Sequence, residues 1–311
     1  MDNITHSLIG AALGQAGLKR KTGLAMPALI LAANLPDVDA PCAVYGVESL
    51  TMRRGLSHGP IALALLPLLL AGLLWAFDRW QAGRGKRPEG RLPVRFGWLL
   101  ALCYIGTLSH PLFDWFNNYG IRLLEPFSSR WFYGDVLFII DLWILIGLGS
   151  GIWLSLRRER VGAAKWTRPA RIALIGLIGY VGMNLAISRI AADSLRMEAP
   201  YPPVVVANEV PVAFWRRDLL WRDGERYGSV HWSLFSGRGP VGTGQPHNMA
   251  DPRVAAWAKG DPKAQAFLFW TRMPIARIGP NAIVLTDQRF DQSPASSAFT
   301  VTLRPSPSVI P

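Results

Sequence analysis

Four long apolar segments dominate the pattern of hydrophobic and polar positions in the first part of the chain. Residues 61–77 contain no charged side chain, and residues 136–156 contain one, Asp141. The other two segments are residues 96–108, which are short unless their flanks are included, and residues 172–187. A helix needs about 20 apolar residues, or about 17 at the short end, to cross the hydrocarbon core of a membrane. The pattern therefore predicts four membrane-spanning helices.

Two shorter apolar segments, residues 4–18 and 22–35, precede these helices on either side of Lys19, Arg20 and Lys21. Their length suits a tilted or re-entrant helical hairpin better than two complete spans. We expect no signal peptide, because the start of the chain lacks a basic region and a small-residue cleavage site.

The character of the sequence changes near residue 192, where β-branched and aromatic runs alternate with Gly, Pro and Asn clusters. Such runs are typical of short strands in a small antiparallel β domain. They are residues 203–215, 227–235, 266–271, 282–286 and 297–303. We therefore expect an α-helical membrane domain, residues 1–191, with four spans and a short N-terminal helical hairpin. A C-terminal, mostly-β domain, residues 192–311, follows it.

The basic residues are concentrated between the apolar segments. The chain has 33 Lys and Arg residues and a net charge of +12; residues 19–21 hold three of them, residues 79–95 six and residues 157–171 six. Cytoplasmic loops of membrane proteins carry this excess of Lys and Arg. The pattern therefore indicates a multi-pass membrane protein with these loops in the cytoplasm and the β domain outside. It indicates a lipid bilayer, and not nucleic acid, as the partner.

Several side chains with metal-ligand chemistry lie at the predicted outer ends of the apolar segments. Histidine and carboxylate groups suit zinc or manganese. Two of them are four residues apart, so on a helix they share one face and can reach the same ion. Each residue alone is better explained as an interfacial polar group, but the convergence of the whole set favours a metal site. The set is His6, Asp37, Asp39, His58, His110, Asp114 and Asp135.

The two remaining histidines, His231 and His247, have no partner at metal-ligand spacing. We expect them to occupy ordinary core or surface positions of the β domain.

Four arginines on the same predicted face suggest a phosphate-containing substrate. Arg53 and Arg54 lie just before one candidate ligand, and Arg122 and Arg130 follow another. Planar guanidinium groups bind phosphate well, although each side chain could instead extend to lipid headgroups. Asp141 lies inside a predicted span, where an acid usually faces the helix bundle and has a partner, so we expect it to support the structure or the site.

Five motifs in the first part of the chain occur in a characteristic order. They are Met1-Asp2 with Thr5-His6, the segment NLPDVD at 34–39, RGLSH at 54–58, HPLFD at 110–114 and NNYG at 117–120. In these motifs the chain resembles the YdjM/YbcI-type membrane-bound metal-dependent hydrolase family. The resemblance covers nearly the whole chain and is most specific in the first 141 residues.

The resemblance implies a bacterial inner-membrane protein that is distantly similar to zinc-dependent phospholipases C and single-strand nucleases. It implies polar positions beside the metal at Asp39 and Asn118. Arg53 stands where the family often has His, and Gly59 stands where it commonly has Ser, so the number of metal ions stays open. The implied metal ligands are His6, Asp37, His58, His110 and Asp114.

Three functions are compatible with these observations. The first is a hydrolase that cleaves a phosphoester of a lipid or envelope intermediate, because zinc or another divalent ion lowers the pKa of bound water to about 7 and so yields hydroxide. In this hypothesis Asp39, Arg54 and Asn118 act in catalysis, with Arg54 on the phosphate. The alternatives are a transporter, for which Asp141 is the only support, and a non-catalytic scaffold with a structural metal. We expect the hydrolase, and the sequence identifies no protein partner.

Overall fold

Among the residues that the structure describes, three helices are long and apolar enough to cross a membrane. The structure is a computed structural model that describes residues 1–196, 204–291 and 296–305. The three helices are α3 (Pro60–Gly83), α4 (Phe96–Trp115) and α6 (Arg168–Arg196). They contain the predicted spans 61–77, 96–108 and 172–187. Helix α4 continues beyond residue 108 to Trp115, so the segment that looked short reaches full length by including His110 and Asp114.

The prediction for residues 136–156 is wrong at its start. Helix α5 (Leu142–Arg160) begins six residues later, and it is not among the three helices long and apolar enough to cross a membrane. Asp141 therefore lies at the start of α5 and not within the helix, since its carboxylate caps the helix by accepting hydrogen bonds from the backbone N–H groups of Trp143 at 3.0 Å and Ile144 at 3.2 Å. A capping carboxylate satisfies donors that the first helical turn leaves open. The count of four spans is thus not confirmed.

The predicted N-terminal hairpin consists of α1 (Asn3–Gln15) and α2 (Ala25–Asn34). Small residues let α2 pack closely between α1 and α4. A Cβ atom on Gly10 of α1 would lie 2.6 Å from the Leu29 carbonyl oxygen, and one on Gly106 of α4 would lie 2.7 Å from the Ala32 Cβ. Close packing of this kind is usual between membrane helices. It also lets α1 and α4, which carry candidate ligands, approach each other, since His6 of α1 stacks on His110 of α4.

The chain divides into two compact units. The helical unit comprises Met1–Asp39 and Arg54–Asn184, and the β unit comprises Ala40–Arg53 and Leu185–Pro311. The division falls within α6, near the predicted domain boundary after residue 191, which stays a prediction. All seven residues of the predicted metal set, including Asp135, belong to the helical unit.

The β unit contains two antiparallel sheets, as the mostly-β prediction requires. The first has the order β1-β2-β3-β4, with β5 also paired to β3, and the second has the order β6-β7-β8. Buried Leu219, Trp221, Val230 and Trp232 form the core of the first sheet. The strands are β1 (Val204–Glu209), β2 (Arg216–Asp223), β3 (Arg226–Ser233), β4 (Gly237–Arg238), β5 (Gln245–Pro246), β6 (Pro274–Ile278), β7 (Ile283–Asp287) and β8 (Thr300–Leu303).

Of the five predicted strands, three correspond to observed strands, one does so in part and one does not. The runs 227–235, 282–286 and 297–303 contain most of β3, most of β7 and all of β8. The run 203–215 becomes a strand only over β1, and residue 203 lies outside the described residues. The strand prediction for residues 266–271 is wrong, because residues 266–270 belong to helix α8 (Pro262–Trp270).

The start signal of α8 explains the error at residues 266–271. Asp261 caps the helix by accepting a hydrogen bond from the Lys263 N–H at 2.9 Å, and Pro262 occupies the first turn. Both features favour a helix start. A second short helix, α7 (Pro252–Ala258), begins in the same way with Asp251 and a proline. Strands β2 and β6 had no prediction.

Asp287, at the end of β7, forms a buried ion pair with Arg289 and also bonds to the residues that follow α8. The Asp287 carboxylate accepts hydrogen bonds from the Arg272 N–H at 2.9 Å and from Arg289 Nη2 at 2.8 Å, and from the Thr271 hydroxyl at 2.5 Å. Burial by itself raises the pKa of the Asp287 carboxyl, but the charge and hydrogen bonds of Arg289 hold it well below its ordinary value. Asp287 and Arg289 are both fully buried, so each depends on the other.

Candidate metal centre

Four buried side chains of the helical unit converge from three chain segments. Asp37 lies in the 3₁₀ segment Leu35–Thr51 that continues α2, and His58 ends the short 3₁₀ turn Leu56–His58 before α3. His110 and Asp114 lie on successive turns of α4. One ligand atom from each of the four lies within 4.8 Å of the others, so the group can hold a metal ion.

Four of the six distances within this group are close to those of a tetrahedral ligand set. Asp114 Oδ2 lies 3.4 Å from His110 Nε2 and 3.5 Å from His58 Nε2. Asp37 Oδ1 lies 3.6 Å from His110 Nε2 and 3.8 Å from His58 Nε2. Ligand atoms about 2.0–2.1 Å from a tetrahedral zinc ion are about 3.3–3.4 Å apart. The four atoms are therefore close enough together to hold one cation.

The hydrogen-bonding pattern also favours a cation. The Nε2 atoms of His58 and His110 face each other at 3.2 Å. Asp114 Oδ2 is buried and accepts no hydrogen bond from the residues that the structure describes, although the Arg54 Nε lies 3.2 Å away. Buried polar atoms are normally hydrogen-bonded. A metal ion would satisfy this oxygen and both imidazole nitrogens at once.

The other nitrogen of each imidazole is already engaged. His110 Nδ1 lies 2.7 Å from the Ala33 carbonyl oxygen, which can only accept, so Nδ1 carries the proton. In the neutral ring, Nε2 therefore presents a lone pair to the group. Metal-binding histidines usually donate their second N–H to a carbonyl or carboxylate in this way. The contact thus prepares His110 as a ligand.

Asp39 and Ser57 orient His58 in a similar way. His58 Nδ1 lies 2.9 Å from the Ser57 hydroxyl, and this hydroxyl donates to Asp39 Oδ2 at 2.7 Å. Asp39 Oδ2 itself lies 3.5 Å from His58 Nδ1. It also accepts a hydrogen bond from the backbone N–H of Arg54 at 2.8 Å. Burial raises the pKa of the Asp39 carboxyl, but hydrogen bonds from His58 and Ser57 hold it below its ordinary value. The structure therefore places Asp39, predicted as catalytic, behind His58 and not among the four ligand atoms. Ser57 had no predicted role.

Arg54 is buried beside the group. Its Nε pairs with Asp114 Oδ2, its Nη1 donates to Asn117 Oδ1 at 3.0 Å, and its guanidinium lies over the Tyr119 ring at 4.7 Å. The positive charge therefore offsets one of the two carboxylates before any substrate binds. Asn118, predicted as catalytic, is also buried. Asn117 makes the Arg54 contact but was not predicted, although it precedes Asn118 in the same NNYG motif.

His6 lies next to the four-residue group but contacts a different oxygen. Its Nε2 is 3.3 Å from Asp114 Oδ1, and its ring stacks on His110 with centroids 3.7 Å apart. The N-terminal amine of Met1 pairs with the same Asp114 oxygen. Sequence reasoning selected His6 and missed Met1. Asp114 thus joins the four-residue group through one oxygen and the start of the chain through the other.

The remaining predicted residues contribute no atom to the four-residue group. Asp135 is not part of the four-residue group. Arg122 pairs with Glu125 at 3.0 Å, and Arg130 lies over the Phe132 ring. In the β unit, His231 is exposed and contacts Asp218 at 2.5 Å, whereas the buried His247 contacts the Gly224 carbonyl at 3.1 Å. Of the predicted set, Asp37, His58, His110 and Asp114 therefore form a group that could hold a metal ion, with His6 and Asp39 beside it.

Comparison with known proteins gives one result. The family described as YdjM inner membrane protein matches residues 1–191, which include every residue of the four-residue group. No curated protein and no solved structure gives a significant match.

Proposed function

Because the chain belongs to the YdjM inner membrane protein family, we propose that it is a membrane-bound metal-dependent hydrolase. The membrane helices and the buried His/Asp group fit a membrane metalloprotein. The proposal goes further and assigns hydrolysis of a phosphoester in a lipid or envelope intermediate. One observation carries it: Asp37, His58, His110 and Asp114 present ligand atoms 3.2–3.8 Å apart in the pairs measured.

The composition of the ligand set supports zinc or a related divalent ion. Two imidazoles and two carboxylates offer nitrogen and oxygen donors without a thiolate, which suits zinc or manganese. The two carboxylates supply negative charge that attracts a divalent ion, although Arg54 pairs with one of them. A divalent ion bound here supplies Lewis-acid chemistry that activates water and polarises a phosphoryl group.

The residues around the ligands have distinct proposed roles. Asp39, acting through Ser57, holds the His58 ring with Nε2 directed at the metal position. Arg54 holds Asp114 and places a positive charge where a phosphoryl group would develop negative charge. We also propose that Asn118 contacts the substrate, as expected from the motif. His6 supports Asp114 from its other side.

The proposed location follows from the charge pattern. The basic loops 79–95 and 157–171 are proposed to be cytoplasmic, so the metal centre faces the opposite side of a bacterial inner membrane, and the β unit is extracytoplasmic. The distant likeness to zinc-dependent phospholipases C and single-strand nucleases stays a prediction. A transporter loses its only support, because Asp141 caps α5 and accepts hydrogen bonds from the Tyr180 hydroxyl at 3.0 and 3.2 Å.

A scaffold with a structural metal remains the second candidate, because four protein ligands can fill a tetrahedral site. Structural zinc sites are closed, whereas catalytic ones keep or gain a position for water or substrate. Hydrolysis at this centre would therefore require the four residues to leave room for water or substrate beside the ion that they would hold. The two candidates make opposite predictions for metal-loaded protein.

The test combines metal analysis with a hydrolysis assay on the full chain in detergent. We expect bound zinc or a related ion in the parent, a strong decrease in Asp37→Asn and His58→Ala, and no change in the matched control His231→Ala. Phosphoester hydrolysis should disappear with chelator and return with added metal. Equal metal content in all variants would refute the site. Full metal loading without cleavage across a panel of phospholipids, phosphomonoesters and phosphodiesters would favour the scaffold.

A further inference from the structure

A groove lies between α5 and α6 in the helical unit. Two adjoining cavities of about 400 Å³ and about 310 Å³ share Gly147, Ile172 and Ala173 in their walls. None of the four candidate metal ligands lines either cavity. The groove is therefore a separate feature that the proposed hydrolase activity does not use.

Contacts on either side of the groove hold the two helices in place. Near the α5–α6 loop, the Ser155 hydroxyl donates to the Trp166 carbonyl at 2.7 Å, and a Cβ atom on Gly151 would lie 2.4 Å from the Ala173 Cβ. At the other end of α5, the Tyr180 hydroxyl bonds to Asp141. By contrast, a Cβ atom on Gly147 would meet nothing within 4 Å. The helices are thus joined at both ends and leave open space at Gly147.

The groove is lined by charged side chains at one end and by apolar side chains along the rest of its length. Arg158 and Arg168 line the larger cavity at the end near the α5–α6 loop, together with Leu154 and Ile172. Both arginines are exposed, and neither pairs with an acidic side chain in the part of the chain that the structure describes. The smaller cavity continues with apolar side chains such as Leu177. Two unpaired cations therefore stand at one end of an apolar channel.

The dimensions match one leaflet of a bilayer. From Arg168 to Tyr180 the groove follows twelve residues of α6, or about 18 Å at about 1.5 Å per residue. Half of a hydrocarbon core is about 15 Å thick. Outside the groove, Ile175 and Ile178 on α6 are more than two-thirds exposed, as expected for a helix facing lipid. A ligand with an anionic head and a long apolar tail fits both the charge and the length.

We propose that this groove binds a phospholipid with an anionic headgroup. The phosphate lies between the guanidinium groups of Arg158 and Arg168, which can each donate paired hydrogen bonds to its oxygens. One acyl chain follows Gly147, Ile172 and Leu177 along the apolar part. The lipid belongs to the leaflet on the side of the basic loop 157–171, where anionic headgroups attract such loops.

The first arm of the test concerns the headgroup. Full-length protein is purified in detergent, exposed to phosphatidylglycerol or phosphatidylcholine, and the retained lipid is counted by native mass spectrometry. The parent should retain phosphatidylglycerol preferentially, and the double variant Arg158→Gln/Arg168→Gln should lose about tenfold or more of that preference. The control Arg157→Gln/Lys165→Gln removes the same charge from residues outside both cavities. Equal losses in the two double variants would overturn the proposal in favour of diffuse charge attraction.

The second arm concerns the acyl chain. Gly147→Leu fills the open wall of the groove, whereas Gly149→Leu adds the same side chain at a glycine that lines neither cavity and also has open space around it. Retention should fall only in Gly147→Leu, with unchanged thermal unfolding in detergent. Inorganic phosphate at millimolar concentration should not displace the lipid. Unchanged retention in Gly147→Leu, or full displacement by phosphate, would show that the cavity does not bind a phospholipid chain.

Discussion

The contact between Asp39 and His58 gives the sharpest prediction about the metal centre. Asp39 provides no atom to the four-residue group, yet it holds the Ser57 hydroxyl at 2.7 Å and lies 3.5 Å from His58 Nδ1. Replacing Asp39 by Ala leaves all four ligands present but removes the group that fixes the His58 ring. The variant Asp39→Ala therefore tests how much metal affinity depends on the orientation of His58, with His58 itself still present.

The expected magnitude follows from the position of Asp39 behind a single ligand. Removing a hydrogen-bond partner of a metal-binding histidine typically weakens metal affinity about 10- to 100-fold, which corresponds to about 1.4–2.7 kcal/mol. Ser57→Ala should have a smaller effect, because the carboxylate of Asp39 remains near His58 Nδ1. His58→Ala should have a larger effect than either, because it removes a ligand. The structure thus predicts an order of affinities and not only a loss.

Competition with a chromophoric zinc chelator at pH 7 measures these affinities on the full chain in detergent. Asp218→Ala is the matched control, since Asp218 also contacts a histidine, the exposed His231 of the β unit, but lies outside the site. Circular dichroism would verify that helix content is unchanged. If Asp39→Ala bound zinc within twofold of the parent while His58→Ala lost it, the proposed orientation of His58 by Asp39 would be refuted.

Two further predictions concern the β unit and the topology. Asp287→Asn should destabilise the β unit by about 3–5 kcal/mol in denaturant unfolding, because it leaves a buried arginine uncompensated, whereas Arg277→Gln in an exposed ion pair should change stability by at most about 1 kcal/mol. Folding lowers the pKa of Asp287, so the stability that its carboxylate contributes is fully present at pH values above the unfolded pKa of about 3.9. This contribution is lost as the pH falls below that pKa. A parent protein equally stable at pH 2 and pH 6 would contradict this. In a background lacking Cys42, an impermeant thiol reagent added from outside should label Glu225→Cys and spare Lys86→Cys. The reverse labelling would place the β unit in the cytoplasm.

Much of the helical fold could be predicted from local patterns. Long uncharged runs predict helices α3, α4 and α6, because apolar length and the need to satisfy backbone groups within the segment leave few alternatives. The spacing of His110 and Asp114 placed both on one face of α4 for the same local reason. Where local signals competed, the prediction failed. The carboxylate of Asp141 ended a hydrophobic run that looked like one span, and the Asp261–Pro262 start turned a predicted strand into α8.

The sequence by itself determined which chemical groups were available for a metal and that they lay at the ends of apolar segments. Only the tertiary structure decided their partners, because Asp37, His58 and His110 come from segments whose approach depends on the packing of α2 against α4. Packing also decided that Asp39 supports His58 and that Arg54 pairs with Asp114. A hydrogen bond depends on a few tenths of an ångström and on ring orientation, whereas residue spacing specifies only which side of an element a group occupies.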